Sequence, residues 1–204
     1  MAAYSIHNCT IVILAAGTSS RLGSPKQLLI YNSKTLLQHA IDTALATGCQ
    51  KVMVVLGAHF NLIKNQLTDQ PVQIIENKDW QEGMASSIRY ALKNITMAGY
   101  QPECVIFMVC DQPFVTSELL LGLIEKGNKT GSPIIAADYG EKAGTPALLY
   151  SSMFFHLLEL TGDKGARSLF EAHPGLVTVV PFPKGVIDVD TVADYELLKR
   201  ENDC

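Results

Sequence analysis

IVILAAGTSSRLGSPKQLL, residues 11–29, starts as an apolar run at 11–14 and breaks off in Ala15-Ala16-Gly17. A loop of small and hydroxyl residues follows, with Arg21 and Lys26 as its two cations, before apolar residues return. Small side chains let backbone N–H groups approach oxygens, and successive N–H groups form an anion nest. An arginine can fork onto phosphate oxygens, and a lysine adds a mobile point charge. Such a strand end reads as the first βα connection of an α/β sheet with phosphate chemistry at its carboxyl edge. The plainer alternative is an ordinary turn with two solvated cations. The spacing is neither Walker A nor G-x-G-x-x-G, since Ser24 rather than lysine follows Gly23.

The rest of the chain keeps the rhythm. Leu36, Leu37, Ala40, Ile41, Ala44 and Leu45 recur at helical spacing, with Gly48 as a stop. KVMVVL (51–56) is a β-branched strand. A helix is expected over 59–67 and a short strand over 72–75. Met84, Ile88, Leu92 and Ile95 mark another helical stripe. CVIFMVC (104–110) is apolar on both faces, as a central parallel strand should be. Ser117 is expected to cap a helix reaching about Lys126. Residues 133–137, 147–150 and 177–180 read as strands, and 192–200 as a final helix. This alternation predicts α/β class: a single-domain, three-layer αβα architecture over residues 1–204, with a mostly parallel sheet. The polar, glycine-rich segments GEKAGTP (140–146) and TGDKGAR (161–167) are expected to be active-site loops.

Composition narrows the function classes. Of 204 residues, 48% are hydrophobic and 18% charged, and net charge is −4. No basic block appears, which argues against a nucleic-acid partner. No apolar stretch approaches the roughly 20 residues of a membrane span, and MAAYSIHNC lacks the regions of a signal peptide. Cys9, Cys49, Cys104, Cys110 and Cys204 form no C-x-x-C pair and are odd in number, so buried thiols in a reducing, cytoplasmic setting are expected.

Ligands of such sheets bind beyond the carboxyl ends of the strands. Three segments lie there: 15–26, 76–87 and Asp111-Gln112-Pro113. Asp111 directly follows an apolar strand; facing a phosphate loop it could hold a divalent cation, and otherwise it caps the turn. The histidines His7, His39, His59, His156 and His173 form no constellation and read as structural or surface residues. Trp80 is either a packing anchor or a stacking platform. Lys164 and Arg167 either meet a bulky second substrate or lie at a solvated helix start with Asp163 near its N-terminus.

LAAGTSSRLGSPKQLL (14–29) resembles the L-A-A-G-x-S-x-R-x-G-x-x-K-Q-x-L signature of nucleotidyltransferases with a glycosyltransferase-A-like fold. CDQP (110–113) resembles their metal-binding strand end. EGMASSIRYAL (82–92) resembles the G-x-x-x-S segment that approaches the base. AGTPALL, TGDKGAR and IDVDTVADYE resemble later landmarks of one branch, the molybdenum cofactor cytidylyltransferases, and the likeness runs from about Thr10 to Arg200. The resemblance implies that Gly17, Arg21 and Lys26 bind the triphosphate with Leu14, Ala15 and Ala16, and that Gly83 and Ser87 lie by the base. It implies that Asp111 holds Mg²⁺, or Mn²⁺ as a substitute, with Asp188 or Asp190 as a second carboxylate. Gly144, Lys164 and Arg167 would face the second substrate. Where that branch often has T-P-E-D, this chain has Thr191-Val192-Ala193-Asp194, and Asp194 remains as the charge at the helix start.

The implied reaction moves CMP from CTP to the terminal phosphate of molybdopterin or the molybdenum cofactor and releases pyrophosphate. A molybdoenzyme or its maturation chaperone would be the implied downstream partner. Two alternatives stand beside it: a cytidylyl- or guanylyltransferase acting on another small phosphate, and a non-catalytic cofactor carrier. Lys26, in a polar loop, is expected to add at most about 1 kcal/mol to folding. CTP is expected over GTP: the Ala16 methyl leaves room for one ring, and loop backbone groups with Ser87 satisfy cytosine.

Overall fold

In the computed structural model, which describes residues 5–97, 99 and 101–200, the run at 11–14 is the middle of a longer strand, β1 (Cys9–Ala15), buried at every position. A two-residue ribbon follows, β2 (Ile30–Tyr31) with β3 (Lys34–Thr35). Thr35 then caps α1 (Leu36–Ala46) by accepting from the Gln38 N–H at 3.0 Å. β4 (Lys51–Leu56), α2 (Phe60–Lys64), β5 (Gln73–Glu76), α3 (Met84–Met97) and β6 (Cys104–Val109) continue the alternation. The second half holds α4 (Ser117–Thr130), β7 (Ile134–Asp138), β8 (Ala143–Tyr150), α5 (Phe154–Leu158), α6 (Arg167–Ala172), β9 (Val177–Pro181) and α7 (Val192–Arg200).

Seven strands form one sheet in the order β5-β4-β1-β6-β8-β7-β9, parallel except for β8. β1 alternates its side chains between two apolar layers. Ile11 and Ile13 pack with Leu37 and Ile41 of α1 and Leu120 and Leu123 of α4. Val12 and Leu14 pack with Ile88, Leu92 and Ile95 of α3 and with Leu157, Leu169 and Phe170. Burial on both faces explains the unbroken apolar runs at 52–56 and 104–109. β6 is central as expected, but parallel only to β1; its other neighbour, β8, runs against it.

The reason lies in residues 140–146, which are not a loop throughout. The Tyr139 N–H donates to the Lys142 carbonyl at 3.0 Å, and only the four residues 139–142 separate the antiparallel pair β7 and β8. A connection that short cannot return the chain to a parallel position. Ala143 to Pro146 are therefore strand residues with one end at the site. α4 also differs from expectation. Thr116, not Ser117, caps it, and it runs to Thr130 because Gly131, left-handed at φ 69°, is where the chain turns away. α2 is shorter than the expected 59–67. α7 starts with a reciprocal cap: Asp194 Oδ2 accepts from the Thr191 N–H at 2.7 Å, and Thr191 Oγ1 accepts from the Asp194 N–H at 3.3 Å.

Cys9, Cys49, Cys104 and Cys110 are buried free thiols; Cys204 and the first residues of MAAYSIHNC lie outside the described residues. Among the described residues no helix is long and apolar enough to cross a membrane.

Candidate active site

The chain runs outward from β1 to β4 and β5, then returns to the other side of β1 as β6. Reversal at β1/β6 opens a crevice beyond the strand ends. The loop after β1 is shaped from beneath by Gln27, which is fully buried. Its Nε2 donates to the carbonyls of Ala15 at 2.8 Å and Gly17 at 3.1 Å. The Ala58 N–H donates to the Ala16 carbonyl at 3.0 Å, and Ser19 Oγ accepts from the Lys26 N–H at 2.9 Å. The loop's carbonyls are thus turned inward. Among the described residues no protein group accepts from the N–H groups of Gly17, Thr18, Ser19 or Ser20. A rim of free N–H donors suits an oxyanion. Gln27→Leu leaves both carbonyls without their donor, at a cost of about 2–3 kcal/mol. Its melting temperature should fall by roughly 5–10 °C, measured by circular dichroism.

Lys26 Nζ donates to Asp111 and, at 2.8 Å, to Asp190 Oδ1. Arg21 Nη2 meets Asp190 Oδ2 at 2.9 Å. Burial by itself would lower the Lys26 pKa, but Asp111 and Asp190 outweigh it and hold the ammonium well above the ordinary lysine value. The Lys26 hydrogen bond keeps Asp190 below the usual carboxylate range. Burial, then repulsion from Asp190 and Asp111, pushes Asp188 up. Only 17% of the Lys26 side chain is exposed, so the value expected for an exposed lysine does not apply to it. Three carboxylates face two cations here, an excess of one negative charge. Hard oxygen donors with spare charge fit Mg²⁺ or Mn²⁺. Among the described residues, no three carboxylate, imidazole or thiolate groups converge into a metal cage while Lys26 bridges Asp111 and Asp190.

The 76–87 segment forms the facing wall. Buried Asn77 donates to Ser86 Oγ at 2.8 Å and Ser87 Oγ at 3.0 Å. Trp80 is half-buried and packs over Gly57; a Cβ at Gly57 would also lie 2.9 Å from the Ala16 methyl. The methyl is therefore turned toward Gly57. Gly83 sits at φ 115°, and a Cβ there would overlap Asp163 Oδ1 and the Gly162 carbonyl. Only glycine tolerates both that angle and that approach. The Ala85 N–H donates to the Gly162 carbonyl at 3.1 Å, and Arg89 ties Glu82 (2.5 Å) to the Leu160 carbonyl. Residues 161–165 are latched onto Gly83 in this way.

Two adjoining clefts result. The first, about 400 Å³, takes in Leu14, Ala15, Ala16, Gly17, Lys26, Gly83, Ser87 and Asp111, all expected from the sequence, together with Trp80 and Asp163. The second, about 520 Å³, is lined by Gly144, Arg167, Asp188 and Asp190, also expected, with Tyr139 and Gln112. Lys26, Asp111 and Asp163 border both. Arg21 lies in neither wall and reaches the site through Asp190, and exposed Lys164 borders neither. None of the histidines lines either cleft; His39 meets the Tyr31 carbonyl at 2.5 Å, and His156 packs on His173.

Sequence reasoning missed a buried scaffold. Gln112 Nε2 donates to Tyr139 Oη at 2.8 Å and to the Gly185 carbonyl at 3.0 Å, while Thr145 Oγ1 donates to Gln112 Oε1 at 3.3 Å. Tyr139 fits because Gly144 and Gly185 have no side chains against its ring. This ties the β8 end to the loop carrying Asp188 and Asp190. The only signal was the occurrence of Gln112 and Gly144 beside Asp111 and Thr145 in short polar motifs.

The model for the MobA-like NTP transferase domain matches residues 11–177. Nicotine blue oxidoreductase of Paenarthrobacter nicotinovorans is 31% identical over 93% of this chain and 96% of its own length. The crystal structure of Rv0371c from Mycobacterium tuberculosis H37Rv is 31% identical, with a TM-score of 0.77 over 94% of this chain and 97% of that one. A structure of Rv0371c in complex with manganese is 29% identical, with a TM-score of 0.74 over 94% and 98% of the two chains. More distant structures with the same fold include a nucleotidyl transferase from Methanothermobacter thermautotrophicus at 20% identity and a TM-score of 0.78. The free N–H rim, the Lys26-bridged carboxylates at the β1/β6 crevice and the match over residues 11–177 agree: this chain is a nucleotidyltransferase belonging to the MobA-like NTP transferase family.

Proposed function

We propose that the protein transfers CMP from CTP to the terminal phosphate of molybdopterin or the molybdenum cofactor, as one cytoplasmic nucleotidyltransferase domain over residues 1–204. The observation that carries this reading is the pair of clefts meeting at Lys26 and Asp111. One has a phosphate-type N–H rim; the other is roomy enough for a bulky acceptor. An acceptor phosphate has a second pKa near ~6, so at neutral pH it is largely ionised and needs no general base to attack the α-phosphorus. The protein's tasks are to align two anions and to stabilise the departing pyrophosphate. The loop N–H groups and Lys26 suit the triphosphate, with Arg21 reaching in from the rim. Arg167 suits the acceptor. Asp111, with Asp188 or Asp190, would hold Mg²⁺, which neutralises phosphate charge when bound. The manganese in the Rv0371c complex supports a divalent cation, with Mn²⁺ as a substitute. A molybdoenzyme or its chaperone would receive the product.

The test is pyrophosphate release with each NTP and purified acceptor. Release from CTP with molybdopterin or its molybdenum form supports the proposal. Release only with another phosphate, or with GTP equally, replaces its substrate. Pterin binding without release makes the protein a carrier. A second reading comes from the Paenarthrobacter relative, named as an oxidoreductase. On that reading the same N–H rim would hold the pyrophosphate of a dinucleotide electron carrier. Substrate-dependent oxidation of a reduced nicotinamide, without pyrophosphate release, would establish it.

A further inference from the structure

Something in the first cleft must tell one base from another, and the loop after β1 has little left to do it with. Its carbonyls at Ala15, Ala16 and Gly17 already accept from Gln27 and Ala58. The Ala16 methyl faces Gly57, and Ser87 Oγ already accepts from Asn77, which leaves it a proton to donate to a base but makes it a poor acceptor for an amine. Two carboxylates reach this cleft. Asp111 is bound to Lys26. Asp163 has, among the described residues, no cation or hydrogen-bond donor engaging it. Its backbone is nevertheless tethered. The Ala85 N–H holds the Gly162 carbonyl, and the Asp163 carboxylate lies on the face of Gly83, where any other residue would carry a side chain. That places a free acceptor on the same wall as Ser87. A carboxylate between two clefts meant for phosphate compounds repels both ligands unless it meets a neutral donor.

The geometry points to Asp163 as the residue that reads the base, accepting a hydrogen bond from an exocyclic amine. The inference rests on the nucleotide lying in this cleft, as proposed above. Cytosine offers the N4 amine as donor, and a charged acceptor strengthens that bond. Uracil offers a keto oxygen there instead, leaving two acceptors face to face with no proton between them. Amine-bearing purines are not rejected by this contact, so discrimination against them rests on space.

Trp80, the single tryptophan, lines the cleft, so its fluorescence reports nucleotide binding without any acceptor present. Wild-type protein titrated with MgCTP and MgUTP should prefer CTP by about tenfold or more. Asp163→Asn keeps the shape but presents an amide that can donate to the keto oxygen, so the CTP/UTP ratio should fall at least about tenfold, with UTP binding tightened. Asp163→Ala should weaken CTP without weakening UTP, and it covers the case in which the asparagine variant misfolds. An unchanged ratio in both variants overturns the assignment. So does an unchanged ratio with a raised KM for the acceptor, which places Asp163 with the acceptor. If wild-type protein binds CTP and the ratio survives mutation, only this inference falls. If it binds no nucleotide, the proposed function falls and takes the inference with it.

Discussion

Asp111→Ala should fold normally and turn over about a thousandfold more slowly at saturating Mg²⁺, a loss of about 4 kcal/mol of transition-state stabilisation. The carboxylate leaves the end of β6, the central buried strand, directly into the junction of the two clefts. Its backbone carbonyl accepts from the Val189 N–H at 3.0 Å, a bond that alanine keeps, so the loop carrying Asp188 and Asp190 stays in register. Lys26 also keeps Asp190 as a partner, so no cation is stranded. The stability cost is therefore small beside the catalytic one. Melting curves that match wild type while pyrophosphate release disappears would show this. Wild-type turnover in the variant would remove Asp111 from the metal site.

The parts of this molecule legible in the sequence are those where one physical rule governs alone. β4 has its expected bounds of 51–56 and α7 its expected start at Val192, the first because the apolar run 52–56 admits no competing pattern, the second because the Thr191–Asp194 cap fixes it. The first cleft was legible because its walls are strand ends, which apolar runs mark directly. The second was less so. Gly144 and Thr145 read as loop because glycine and proline punctuate loops, yet here glycine is needed to admit the Tyr139 ring beside a strand. The roles of Gln27, Asn77 and Gln112 depend on partners far along the chain or on local backbone turns. No spacing rule distinguishes a buried glutamine that shapes a loop from one facing water. Lys26 illustrates the same limit with charge: a lysine in a polar loop looks solvated until the fold brings Asp190 to it from the far end of the chain.

Lys26→Met should lower kcat/KM by about two to three orders of magnitude, since a cation serving developing pyrophosphate charge in a half-closed site contributes roughly 3–4 kcal/mol. Unlike an exposed lysine, it should also cost stability, because Asp111, Asp190 and Asp188 would face one another with only Arg21 nearby. The pH dependence has a definite sign. Asp190 is held below its usual range, so the stability it contributes is present above the unfolded aspartate value of about 3.9 and is lost as pH falls through the folded value. Lys26 is held above its usual range, so its contribution is present below about 10.4 and is lost only as pH rises past that. The wild-type advantage in melting temperature should therefore be flat from about pH 5 to pH 10 and shrink toward pH 3. Divalent cation gives a second readout independent of turnover. With the ammonium gone, Mg²⁺ or Mn²⁺ should raise the melting temperature of Lys26→Met more than that of wild type, because a ligand that binds only the folded state stabilises it in proportion to its affinity. A variant that melts like wild type at every pH and gains nothing extra from the metal would mean that the Lys26 bridge between Asp111 and Asp190 carries no energy.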